Sequence, residues 1–159
     1  MPEVVCNTSP LQYLHQIGVL DILPAIYGKI LIPQAVADEI DAGRRAGVNL
    51  PDLTVLDWIE TRTVAPTSWP VPRDIHRGEA EAIALARTLI HSKLILDDLA
   101  ARRHARLLGL NITGTLGVLL KAKQNRLIDR LQPVVDGLVS AGFRLANSTR
   151  VDFLRMAGE

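Results

Sequence analysis

Oxygen-bearing side chains recur at the ends of short apolar runs in this 159-residue chain. Asn7, Thr8 and Ser9 follow the run at 3–6, Asp97 and Asp98 follow the run at 93–96, and Glu39 and Glu79 lie in segments that begin after other such runs or loops. Four such sites converging in one place would suit Mg²⁺ or Mn²⁺, hard cations that keep several waters and take one or two carboxylates directly. An ion so held activates water and neutralises charge on a phosphodiester. His15, His76, His91 and His104 show neither H-x-x-x-H nor cysteine-paired spacing, which argues against zinc. Gly114-Thr115-Leu116-Gly117 lacks the lysine of a P-loop and the glycine spacing of a dinucleotide fold, so it reads as a tight turn. Cys6, at the end of an apolar run, reads as a small core residue rather than a nucleophile. A phosphatase of the aspartyl-nucleophile kind needs D-x-D after its first strand, where this chain has Asn7 and Ser9.

These residues need elements to position them. Residues 3–6 form a β-branched run that reads as a strand, after which Thr8 or Ser9 is expected to cap a helix with Pro10 at its first position. Leu11, Leu14, Ile17, Leu20 and Leu23 extend that helix to just before Pro24. Residues 29–32 read as a second strand. Pro33 then opens a short helix with Val36 and Ile40 on one face and Asp38 and Glu39 beside it, ended by Gly43, with Arg44-Arg45 in the next loop. Between 48 and 72 the pattern is poor, and 55–64 reads as a strand, a short helix or both. A helix over 79–90, a strand over 93–96, a helix over 99–108 stopped by Gly109, and a strand over 110–113 follow. Helices over 115–124, 131–141 and 149–157 complete the chain. Alternating β and α units over 1–159 predict one three-layer α/β domain with a mostly parallel sheet, whose ligands collect at the carboxyl ends of the strands.

Composition narrows the setting. With 48% hydrophobic and 22% charged residues the chain can bury a core, and its net charge of +1 advertises neither nucleic acid nor membrane. The charge is nevertheless uneven: residues 1–101 hold 8 basic and 13 acidic side chains, a balance of −5, and residues 102–159 hold 10 and 4, a balance of +6. Arg102, Arg103 and Arg106, with Lys121, Lys123 and Arg126 on the following helix, are candidate phosphate contacts, weighed against plain solvated helix faces. Six aromatics offer little base-stacking surface. A lone cysteine excludes an internal disulfide, no signal-peptide pattern is present, and the longest uncharged stretch is broken by polar residues. A cytoplasmic protein without a membrane span is expected.

Five segments carry a resemblance: residues 4–11 (VVCNTSPL), 32–40 (IPQAVADEI), 78–86 (GEAEAIALA), 94–98 (LILDD) and 113–120 (TGTLGVLL). In this order they resemble a PIN-domain protein over about residues 3–157, more narrowly the prokaryotic PIN-like branch long labelled a domain of unknown function and related to the toxins of VapBC-type pairs. The resemblance implies a three-layer α/β/α fold and a Mg²⁺- or Mn²⁺-dependent endoribonuclease. Carried over, the metal-site positions are Asn7, Glu39, Glu79 and one of Asp97 and Asp98, with Ser9 as the hydroxyl of the usual D-x-S opening, Glu81 as the fallback for Glu79, and Thr115 in support. Asn7 stands where PIN nucleases generally carry aspartate, so one ligand is a neutral amide.

Two functions therefore compete. One is an RNA-cleaving metalloenzyme, the toxin of a toxin–antitoxin pair or an orphan relative, neutralised by a small antitoxin; the other is a catalytically silent module that binds RNA or a protein through the same groove. A homodimer is expected from the family.

Overall fold

The computed structural model describes residues 2–66 and 70–159. In chain order the elements are β1 (Glu3–Cys6), α1 (Thr8–Gln16), α2 (Ile22–Tyr27), β2 (Ile30–Pro33), α3 (Gln34–Arg45), β3 (Ile59–Arg62) and α4 (Arg77–Thr88). They continue with β4 (Ser92–Ile95), α5 (Leu99–Leu107), β5 (Asn111–Thr113), α6 (Thr115–Gln124), α7 (Gln132–Ser140) and α8 (Asn147–Met156). The five strands make one parallel sheet in the order β3-β2-β1-β4-β5. The poorly patterned stretch yields both a 3-10 turn at Leu53–Val55 and strand β3; residues 67–69 of it lie outside the described residues.

Strand side chains alternate between two cores, as a sheet covered on both faces requires. Val4, Cys6, Ile30, Ile32 and Ile95 face a larger core with α1, α2, α3, α6, α7 and α8, while Val5, Leu31, Leu94 and Leu96 face a smaller one with α4 and α5. The result is the three-layer α/β/α arrangement. No helix among the described residues is long and apolar enough to cross a membrane.

Several boundaries differ from expectation for identifiable reasons. The expected single helix to Leu23 is two: α1 stops at Gly18, which adopts φ +77°, and α2 contains Pro24 in its first turn, where the missing N–H is no loss. Asn7, not Thr8 or Ser9, is the N-cap of α1, so Pro10 is its third residue. Helix α3 passes through Gly43 because Leu50 packs where a Cβ would sit, and it ends beyond Arg44 and Arg45 near Gly47, at φ +87°.

Candidate functional site

The sheet order places β1 beside both β2 and β4, so the direction of winding reverses between β1 and β4 and leaves a crevice at their carboxyl ends. Cys6 pairs with Ile95, and the next amide, Asn7 N, donates to Ile95 O at 3.1 Å. Asn7 has extended backbone and makes no capping bond with its side chain; it is 4% exposed, and its Oδ1 has no hydrogen-bond partner among the described residues. A buried amide oxygen without a partner is unusual, because such groups ordinarily meet protein or water.

The acids around this crevice share a second property: each receives a backbone N–H at the start of a helix. Asp98 is the N-cap of α5, its Oδ2 accepting from Ala101 N at 2.9 Å. Asp97 Oδ1 accepts from Thr115 N at 2.8 Å and its Oδ2 from Thr115 Oγ1 at 2.6 Å, so it holds the first residue of α6. Glu79 Oε2 accepts from His76 N at 3.0 Å at the start of α4. Glu81 Oε1 accepts from Ala35 N at 3.1 Å at the start of α3, and its Oε2 takes Arg77 Nε at 3.0 Å. Four helix N-termini thus place partial positive charge against four carboxylates, offsetting the cost of gathering anions at one edge. Glu81, the fallback ligand, spends both oxygens in this way.

Glu39 arrives from α3 and accepts from Thr8 Oγ1 at 2.5 Å. Its carboxylate lies over Gly78, where a Cβ would meet Oε1 and stand 2.9 Å from Oε2, so a larger residue there would displace the Glu39 carboxylate. Glu79 has its pKa raised, chiefly by burial and further by the charges of Asp98 and Glu39, against the lowering effect of the His76 amide and side chain. Acids from α3, α4 and the start of α5 therefore feel one another. Asp97 is also raised by burial, opposed by its two bonds from Thr115 and by Arg102. Burial pushes the Cys6 thiol well up, with Asp97 adding to it, which leaves it a protonated core residue rather than a nucleophile.

Among the described residues no three His, Cys, Asp or Glu side chains stand close enough to hold an ion directly. The donor set nevertheless fits a hard divalent cation: the orphaned Asn7 oxygen and the carboxylates of Glu39, Glu79 and Asp98 are all oxygen donors, and Mg²⁺ or Mn²⁺ needs only one or two of them beside its waters. Among the described residues Asp98 Oδ1 has no hydrogen-bond partner, whereas both Asp97 oxygens are taken.

Ser9 is half-buried in the first turn of α1, and Thr115 is 0% exposed beneath Asp97. Arg102 is half-buried, its Nη1 donating to Leu96 O at 2.8 Å, while Arg103 and Lys121 are exposed. The Lys123 ammonium reaches Glu159 Oε2 at 2.7 Å beside the start of α7, a pairing 36 residues apart that spacing cannot reveal. Thr8 and Gly78 serve Glu39 in ways the sequence did not announce. A separate cavity of about 680 Å³, lined by Ile90, His91, Ser92, Gly109 and Asn111, lies at the opposite end of β4, away from the acids.

A doubly wound parallel sheet with an acidic crevice at its switch point defines the class of fold, and sequence comparison identifies the family. A family model described as PIN domain (DUF3368) matches residues 3–159, so the chain belongs to the PIN domain family. Among solved structures it is similar to a PilT N-terminus domain protein from the hyperthermophilic archaeon Sulfolobus solfataricus P2, at TM-score 0.57 and 21% identity over 75% of this chain and 92% of the other. That likeness is one of fold. No curated protein matches the chain.

Proposed function

We propose that this PIN domain is a Mg²⁺- or Mn²⁺-dependent endoribonuclease that hydrolyses RNA phosphodiesters at the crevice beyond β1 and β4. The observation that carries this reading is the meeting of acids from separate elements at Glu79, where the charges of Asp98 and Glu39 both act, at the sheet edge that also holds the buried, unpartnered Asn7 oxygen. Clustered carboxylates with a raised pKa at a strand-end crevice are the ordinary mark of a functional site. In this reading Glu79, Asp98, Glu39 and the Asn7 amide would hold the cation, one or two of the carboxylates directly and the others through its waters, with Ser9 in support and Asp97 fixing the β4 end through Thr115. The bound ion supplies charge neutralisation at the phosphodiester and activation of water. A toxin role, a small antitoxin that covers the crevice, a homodimer and a cytoplasmic location belong to the same reading.

One observation favours a second reading. Position 7 is neutral and the neighbouring acids are already occupied at helix starts, which suits a silent module that binds RNA or a protein without cutting. Incubation of a mixed RNA pool with Mn²⁺ or Mg²⁺ separates the two. Metal-dependent cleavage by the native chain that disappears in Glu79→Gln and Asp98→Asn supports the nuclease; an inert native chain that gains cleavage on Asn7→Asp supports the silent module.

A further inference from the structure

Helix α5 reads LAARRHARL and carries three arginines without an acid. Arg102 and Arg106 stand four residues apart and so share one face. Among the described residues neither has a carboxylate within ion-pair distance, although Arg62, Arg77 and Arg150 elsewhere all do. Burial disfavours the charge on Arg102 most and Arg106 adds to that, while the Asp97 carboxylate favours it. Attraction to the helix carboxyl end explains a cation at Arg106, in the last turn, but not one at Arg102.

Arg102 is also held in place. Its Nη1 donates to Leu96 O at 2.8 Å, and a Cβ at Gly114 would come within 2.7 Å of that nitrogen and 2.9 Å of Asp97 Oδ1. The guanidinium is therefore packed at the end of β4, on the β5 side of the crevice, beside the residue that precedes Asp98. Its other nitrogens have no partner among the described residues. Arg102, anchored by one nitrogen beside Asp97, and Arg106, exposed one turn further along the same face, present planar guanidinium groups that match the oxygens of a phosphodiester better than flexible lysines would.

We propose that Arg102 and Arg106 form a clamp for one backbone phosphate of the RNA, adjacent to the phosphate that meets the acids. The clamp rests on the nuclease reading for its ligand, but it acts in binding and needs no metal. Its loss weakens RNA binding and raises KM while leaving kcat largely unchanged, because the held phosphate is not the reacting one.

The test is fluorescence anisotropy of a labelled single-stranded RNA with the full chain in excess EDTA, repeated over a series of KCl concentrations. Arg106→Gln is expected to weaken binding about tenfold, the size of one lost charged hydrogen bond, and to reduce the slope of log K against log salt by about 0.7. Arg102→Gln is expected to do the same, with a lower thermal midpoint from the lost Leu96 contact; Arg106, which makes no such contact, keeps the test independent of folding. Unchanged affinity and slope in Arg106→Gln overturns the clamp. Unchanged RNA binding with weakened binding of poly-glutamate also overturns it, assigning the face to an acidic protein. Loss of RNA binding in both variants from a chain that never cleaves with metal upholds the clamp and removes the nuclease.

Discussion

Thr115→Val isolates the bond that ties the β4 end to α6. Thr115 is fully buried, and its hydroxyl donates to Asp97 Oδ2 at 2.6 Å; valine keeps the shape and removes only the donor. A hydrogen bond to a charged group contributes about 1.5–3 kcal/mol, so a loss of about 2 kcal/mol is expected. For a chain of this size that lowers the thermal midpoint by about 6 °C, read by circular dichroism or calorimetry. The loss also depends on pH in a definite direction. Burial raises the folded pKa of Asp97 above its ordinary value of 3.8, and the Thr115 bonds hold it down; without the hydroxyl it rises further. The variant therefore pays an extra cost of ionising Asp97 at neutral pH, which disappears as pH falls through the raised folded pKa. The gap between the two proteins should be widest near pH 7 and shrink in acid. A gap under about 0.5 kcal/mol, below the smallest loss expected of such a bond, or one that is constant with pH, refutes the assigned role of Asp97.

The other expectations are separable in the same assays. Asp98→Ala removes the cap on Ala101 N and should cost about 1 kcal/mol, whereas Asp98→Asn keeps an acceptor and should lose metal binding with little change in thermal midpoint. Gly78→Ala should leave the midpoint level or slightly raised, since alanine favours helix, yet weaken Mn²⁺ binding by displacing Glu39; unchanged Mn²⁺ affinity would contradict the close approach. Glu159, with a pKa lowered to about 2 by Lys123 and the Leu131 and Gln132 amides, contributes stability that is present above its unfolded value of 4.5 and lost as pH falls from there to about 2. Unfolding curves over that window should show the native chain losing stability more steeply than Glu159→Gln.

Much of this frame is legible in the residues. The runs at 3–6, 29–32 and 93–96 are short, largely apolar and bounded by turn formers, and the strands fall within a residue of where that pattern puts them. Helix 115–124 was readable from its Gly-Thr opening and apolar spacing. What local pattern misleads on is a residue whose tertiary neighbour overrides its propensity: Gly43 sits inside α3 because Leu50 fills its face, and Pro24 sits where α2 needs no amide. At the candidate site, residue types after the strands drew attention to the carboxyl edge of the sheet, but the partners of those residues lie far away in sequence. Glu81 meets Ala35, Asp97 meets Thr115 and Thr8 meets Glu39 across 46, 18 and 31 residues, so the capping role of the acids appears only in three dimensions. Asp98 and Glu79, whose donors Ala101 N and His76 N lie three residues away, are the exceptions that cap spacing reveals.

The central claim is that Glu39, Glu79, Asp98 and the neutral Asn7 share one divalent ion. Calorimetric titration of Mn²⁺ into the native chain, Glu79→Gln, Asp98→Asn and Asp97→Asn tests it without reference to turnover. The account predicts one saturable site in the native chain, lost in Glu79→Gln and Asp98→Asn and retained with modest weakening in Asp97→Asn. No binding by the native chain, or binding that survives in Glu79→Gln and Asp98→Asn but not in Asp97→Asn, would contradict it.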